Sequence, residues 1–167
     1  MNDFEHFHKQ LLLDFSMDIS NDLKSGFTTH SDQIKEQSYD CCAKEFPQLF
    51  VSALFEHHQE RYFILIGAKI IYALSNRMLG GNGHIETRPQ TLFTQAELFF
   101  SRTFIEGIKF QYMKLGKEVT LIRSENTDNA SQPFFKEQLV HQLKVDCFFG
   151  KKPLGSLYIC GAERSGQ

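Results

Sequence analysis

The chain has 167 residues, 41% hydrophobic and 23% charged, which is enough apolar material for one sizeable core and fits a single domain over residues 1–167. Its formal net charge is -2 and no run of Lys or Arg gathers on any segment, which argues against nucleic acid as a partner, because phosphate binding needs a concentrated basic surface. No stretch approaches the roughly 20 apolar residues of a membrane-spanning helix, and Met1-Asn2-Asp3-Phe4-Glu5 has neither the basic start nor the apolar run of a secretory signal, so a cytoplasmic location is expected. In chain order, Phe7, Leu11, Phe15, Ile19 and Leu23 follow Phe4 at steps of three or four, predicting an amphipathic helix that Gly26 ends. The polar, mixed stretch from Ser31 to Cys42 reads as an extended strand. Leu49–Phe55 and Tyr62–Ile66 are short, apolar and β-prone, with His57-His58-Gln59-Glu60 as the turn of an antiparallel hairpin.

A second helix is expected over Ala68–Leu79, with Ile71, Leu74 and Met78 on one face and Gly80-Gly81 as its stop. Thr94-Gln95-Ala96-Glu97 has the form of a capping box, opening a largely buried helix over Gln95–Leu115. Strands are expected at Glu118–Ile122, Gln138–Phe149 and Gly155–Cys160, the last two joined through Gly150-Lys151-Lys152-Pro153, with a loop over Ser124–Gln132. Helices alternating with antiparallel hairpins indicate an α/β fold in which a sheet is covered by helices. The 17 Phe, with no Trp, predict a core rich in phenylalanine.

The pattern of candidate chemistry is sparse. Cys41, Cys42, Cys147 and Cys160 include no C-x-x-C pair, so reduced thiols in or near a core are expected in preference to a zinc site. His6 and His8 sit two apart on a helix and point different ways, and His57-His58 in a turn suit solvent better than a metal. Neither a nucleophile elbow nor a phosphate-binding loop is present, and no metal or cofactor is proposed. Gly107, inside the third predicted helix, suggests close helix packing.

The segment Leu65-Ile66-Gly67-Ala68-Lys69-Ile70-Ile71-Tyr72-Ala73-Leu74-Ser75-Asn76-Arg77-Met78-Leu79-Gly80-Gly81-Asn82-Gly83 resembles the middle domain of the flagellar motor switch protein FliM. That family pattern is an apolar strand, a helix ending Asp-Arg-Leu-Leu or similar, and then Gly-Gly-x-Gly. Arg88-Pro89 and Thr94-Gln95-Ala96-Glu97 look like the family's Arg and Thr-Pro-Ile-Glu segment; Phe4–Phe27 and Gly155–Cys160 resemble its first helix and closing strand. The resemblance implies a three-layer α/β/α sandwich of the CheC-like type, with a mainly antiparallel sheet and two long helices. It implies a non-enzymatic, cytoplasmic component of the motor's C-ring, at the cytoplasmic face of the inner membrane in the basal body. There Gly80, Gly81, Asn82 and Gly83 would contact a FliG-type rotor protein, like copies would lie side by side in the ring, and the assembly would support motility and chemotactic switching. The segment before Phe4 does not match the family's CheY-binding peptide, nor does the chain show its C-terminal FliN-like β domain. Two alternatives share the ancestry: a non-flagellar type III secretion ring protein, and a CheC-type phosphatase acting on a phosphorylated response regulator. For the phosphatase, Asp14, Asp18 and Asn21 have the required steps of four and three along one helix face, with Asp where those enzymes carry Glu. No second such site recurs at Glu97 or Glu106, which are followed three positions on by Phe100 and Lys109.

Overall fold

A computed structural model describes residues 2–83, 93–125 and 132–163. The Arg88-Pro89 pair and most of the loop expected over Ser124–Gln132 lie outside them. The chain runs α1 (Asn2–Leu23), β1 (Phe27–Ser31), β2 (Lys35–Ser38), α2 (Tyr39–Ala43), β3 (Phe50–His57), β4 (Glu60–Gly67), α3 (Ala68–Met78), α4 (Gln95–Lys114), β5 (Thr120–Glu125), β6 (Leu139–Phe149) and β7 (Lys152–Glu163).

The seven strands form one antiparallel sheet in the order β1-β6-β7-β4-β3-β5, and β2 pairs with β6 beyond β1. Its centre is the pair of hairpins read from the sequence. In β3–β4, His57 pairs with Glu60 across a two-residue turn in which His58 has φ 54°. In β6–β7, Phe149 pairs with Lys152, so the turn is only Gly150-Lys151, and Lys152 and Pro153 already belong to the strand.

Alternation along these strands sorts side chains to two faces. Val51, Ala53, Phe55, Tyr62, Ile64, Ile66, Val145, Leu157 and Ile159 meet Leu11, Leu12, Phe15 and Ile19 of α1, Ile70, Ile71 and Leu74 of α3, and Phe104, Ile105, Ile108 and Tyr112 of α4. Leu54, Phe63, Leu65, Tyr158 and Cys160 face the other way, against Tyr39 and Cys42 of α2 and Phe134. Both faces are thus covered, giving three layers, and this double covering explains why β3 and β4 read as continuous apolar runs.

Four expectations are corrected. First, α1 stops at Leu23, and the residue in the left-handed region is Lys24 (φ 49°), with the Ser25 N–H bonding the Ser20 carbonyl at 3.1 Å; Gly26 is not the cap. Second, Ser31–Cys42 is not one strand. The stretch holds the end of β1, then β2, then the one-turn helix α2, which Ser38 starts by accepting a hydrogen bond from the Cys41 N–H at 3.4 Å. Third, α4 is one-sided, because Phe99, Phe110 and Met113 are exposed. Fourth, β5 begins at Thr120 and pairs with β3 at the sheet edge, remote from the β6 that comes after it in sequence. The capping box of α4 forms as expected: Thr94 Oγ1 accepts from the Glu97 N–H at 3.1 Å, and Glu97 Oε1 accepts from the Thr94 N–H at 2.8 Å.

Candidate functional site

The glycine segment begins as the C-terminus of α3. With Gly80 at φ 93°, the Gly80 N–H bonds the Arg77 carbonyl at 3.1 Å and the Gly81 N–H bonds the Asn76 carbonyl at 2.9 Å. This paired arrangement satisfies carbonyls that a helix end would otherwise leave open, and it needs a residue free to adopt positive φ. Asn76 and Arg77 then fix the loop beyond the helix. Asn76 Oδ1 accepts from the Gly83 N–H at 3.0 Å. Arg77 spreads its guanidinium over three carbonyls, donating to Leu23 through Nε, Lys24 through Nη2 and Gly81 through Nη1, each at 3.1 Å. It therefore ties the open end of α1 to the loop after α3.

This geometry separates the four loop residues. A Cβ on Gly81 would run into the Asn76 amide, and one on Gly83, which has φ 80°, would lie 2.9 Å from the Phe149 ring. Phe149 is itself held edge-on against Phe27, ring centroids 5.8 Å apart. Gly81 and Gly83 therefore shape the loop from its inner side, while Gly80 and Asn82 are exposed beside Leu79 at 67% exposure. The described start of the loop is thus held from its inner side, with Leu79, Gly80 and Asn82 exposed.

The three residues singled out on α1 are less alike than their spacing suggests. Asp14 accepts from Gln10 Nε2 on the same helix at 2.9 Å, and Asn21 is exposed. Asp18 leans to α4, where its Oδ2 accepts from Gln111 Nε2 at 2.6 Å. One member of the triplet is therefore engaged across the helix pair, a link that spacing along α1 has no means to reveal.

A polar cluster that the sequence reading did not pick out lies at the other end of α1. His8 is buried between Phe4, Tyr62 and Tyr112, with Nδ1 2.8 Å from the Phe4 carbonyl and Nε2 2.8 Å from the Tyr112 hydroxyl. Beside it Tyr62 donates to Glu60, and Lys117 Nζ lies 3.1 Å from Glu60 Oε2 and 5.1 Å from the centre of the Phe7 ring. Burial would push the Glu60 carboxyl up, but the hydrogen bonds from Tyr62 and Lys117 together hold it below its ordinary value. Phe4, Phe7, His8, Glu60, Tyr62 and Lys117 line a cavity of about 610 Å³. Their charges and hydroxyls answer one another, which makes this a packed polar network. Its one sequence signal was His8 lying four residues after Phe4 and three before Leu11, inside the apolar stripe. All four cysteines are free thiols, three of them buried. Among the described residues no three His, Cys, Asp or Glu side chains converge to hold a metal ion, and no helix is long and apolar enough to cross a membrane.

An antiparallel sheet with α1, α3 and α4 on one face and the short α2 on the other is a CheC-like α/β/α fold. A CheC-like superfamily protein from Shewanella sp. PV-4 shares this fold with a TM-score of 0.53 at 13% identity, covering 93% of this chain and 97% of that one. The likeness rises among flagellar proteins. A chain of the FliG–FliM complex from H. pylori matches with a TM-score of 0.79 at 17% identity over 95% of this chain and 90% of that one. The FliM middle domain from Vibrio alginolyticus matches at 0.72, with 11% identity over 94% and 91%. At such identities these structures speak for the fold alone. The family model described as flagellar motor switch protein FliM matches residues 1–145, and the chain belongs to that family. No curated protein sequence matches the chain.

Proposed function

We propose that the chain acts without catalysis in the cytoplasmic ring of the flagellar motor switch, at the inner membrane's cytoplasmic face, where the tip Gly80-Gly81-Asn82-Gly83 docks a FliG-type rotor protein and neighbouring copies stand side by side. In this role it supports motility and chemotactic switching as one FliM middle-domain-like unit spanning residues 1–167. The observation that carries the reading is the start of this loop: Asn76 and Arg77 bond its backbone at Gly83 and Gly81, the Phe149 ring lies against Gly83, and Leu79 is exposed next to it. A preorganised loop loses little freedom on binding, which favours a docking role. The family supplies the context, and the H. pylori structure similar to this chain is a FliG–FliM complex. The same reading gives Asp14, Asp18 and Asn21 no catalytic part, in line with Asp18 being bonded to Gln111.

The test is a titration of the purified chain with a FliG-type rotor protein. Leu79→Glu alters the exposed shoulder without entering the loop's interior and is expected to weaken binding at least about tenfold, roughly 1.4 kcal/mol. Gly83→Trp, which forces the loop off Phe149, is expected to abolish binding while circular dichroism shows the helices retained. Full affinity in both variants would remove the loop from the interface. Dephosphorylation of a response regulator, lost on Asn21→Ala, would instead establish a phosphatase.

A further inference from the structure

Between α1 and α4 lies a second feature, which the loop reading does not use. The two helices run antiparallel, Phe7 lying on Tyr112 and Phe15 on Gly107. Toward the Leu23 end of α1 they part into a cleft of about 250 Å³, floored by Phe15 and Phe104 and flanked by the partly exposed Met78 and the exposed Phe110. Its polar lining is one-sided. Asp18 and Asp22 contribute carboxylates, while no Lys, Arg or His among the described residues lines the cleft. Gln111, 1% exposed, spends its Nε2 on Asp18, and its Oε1 finds no donor among the described residues. An apolar cleft holding two carboxylates and a buried amide oxygen without a donor is set up for a group that brings several N–H donors and a positive charge.

We propose that this cleft is a docking groove for a basic amphipathic helix of a protein partner, an Arg side chain entering between Asp18, Asp22 and Gln111 while apolar neighbours lie on Phe110 and Met78. Arginine suits the acceptors better than lysine because its planar fork offers five donors in fixed directions. A helix is the natural occupant because side-chain rows of two packed helices leave a groove that a third can fill, with anchors one turn apart.

The experiment follows the fluorescence anisotropy of a labelled synthetic helical peptide, Leu on one face and Arg on the other, beside the same peptide with citrulline for every Arg. Saturable binding of the Arg peptide to the purified chain is expected, weakened at least about tenfold by Asp18→Asn with Asp22→Asn and by Phe110→Ser. Leu139→Ser, exposed outside the cleft, and Leu79→Glu at the glycine tip are expected to leave it unchanged, so failure here is distinct from failure of the loop reading. Circular dichroism checks each variant, and the exposed Asp22→Asn alone carries the test if Asp18→Asn perturbs folding. Absence of binding, equal binding of the citrulline peptide, or full affinity in the cleft variants would overturn the proposal. So would a dimer by sedimentation that Phe110→Ser disperses, since a second copy would then cover the groove.

Discussion

His8 has both ring nitrogens engaged, and the chemistry of its partners decides its state. The Phe4 carbonyl can only accept, so Nδ1 carries the proton and Nε2 accepts from the Tyr112 hydroxyl, which makes the ring neutral. Burial pushes its pKa down from 6.5 to about 4, aided by Lys117 and opposed by the bond to Phe4 and by Glu60. Because the folded value is depressed, the unfolded chain binds the extra proton first. The contribution is fully present above the unfolded value and lost as pH falls toward the folded one. Urea unfolding is expected to show roughly 2 kcal/mol less stability at about pH 5 than at about pH 7 from this residue, and His8→Gln to flatten that slope. The steps of three and four put His8 in the apolar stripe, but Tyr112 is 104 residues away, so nothing local announced its partner. Arg77 is similar: it stands in the helix ending that the family resemblance rests on, yet two of the three carbonyls it joins, those of Leu23 and Lys24, lie at the end of α1.

At the scale of elements, the helices α1, α3 and α4 share one way of stopping. Gly80 and Gly116 take positive φ at the ends of α3 and α4, and Lys24 does so at the end of α1. A left-handed Lys is strained relative to glycine; Arg77, bonded to the carbonyls of Leu23 and Lys24, accounts for its being held there. Gly107 shows the opposite use of a missing side chain. A Cβ there would lie 3.3 Å from the Phe15 ring, tight but close to tolerable. Gly107→Ala sets a helix-propensity gain of up to about 1 kcal/mol against that squeeze. Gly107→Leu is expected to cost about 1–3 kcal/mol by forcing α1 and α4 apart, measured by denaturant unfolding. The same variant is expected to open the cleft between Asp18 and Gln111. Close packing at Gly107 was legible because glycine in a helix interior needs a reason; the cleft beside it was not.

For the whole molecule, burial on both faces of the sheet sets chemical access. Cys42, Cys147 and Cys160 are buried, and burial raises the Cys147 thiol to about 12, with Asp146 adding to the effect, whereas Cys41 is exposed on α2. Titration with an aromatic disulfide is therefore expected to modify one thiol, Cys41, in the native chain and all four in denaturant. Cys41→Ser should abolish the native reaction. Reaction of more than one thiol under native conditions would mean that the α2 layer opens readily, since among the described residues that layer is built from the short helix, Phe46 and Phe134.

Local physics was written in the residues themselves. The period of α1, the turn of β3–β4, the capping box at Thr94–Glu97 and the glycine stop after α3 each depend on neighbours within a few positions, so their residue types were enough to read them. Where α1 ends, the division of Ser31–Cys42 into two strands and a helical turn, and the place of β5 beside β3 depend on partners far along the chain. A backbone group takes whichever hydrogen-bond partner tertiary packing brings to it, and no local pattern records that choice. The same holds for the sites. Sequence named Gly80 to Gly83, whereas only the packing of Asn76, Arg77 and Phe149 decided that two of them point inward. Only the antiparallel packing of α1 on α4 brought Asp18 to Gln111.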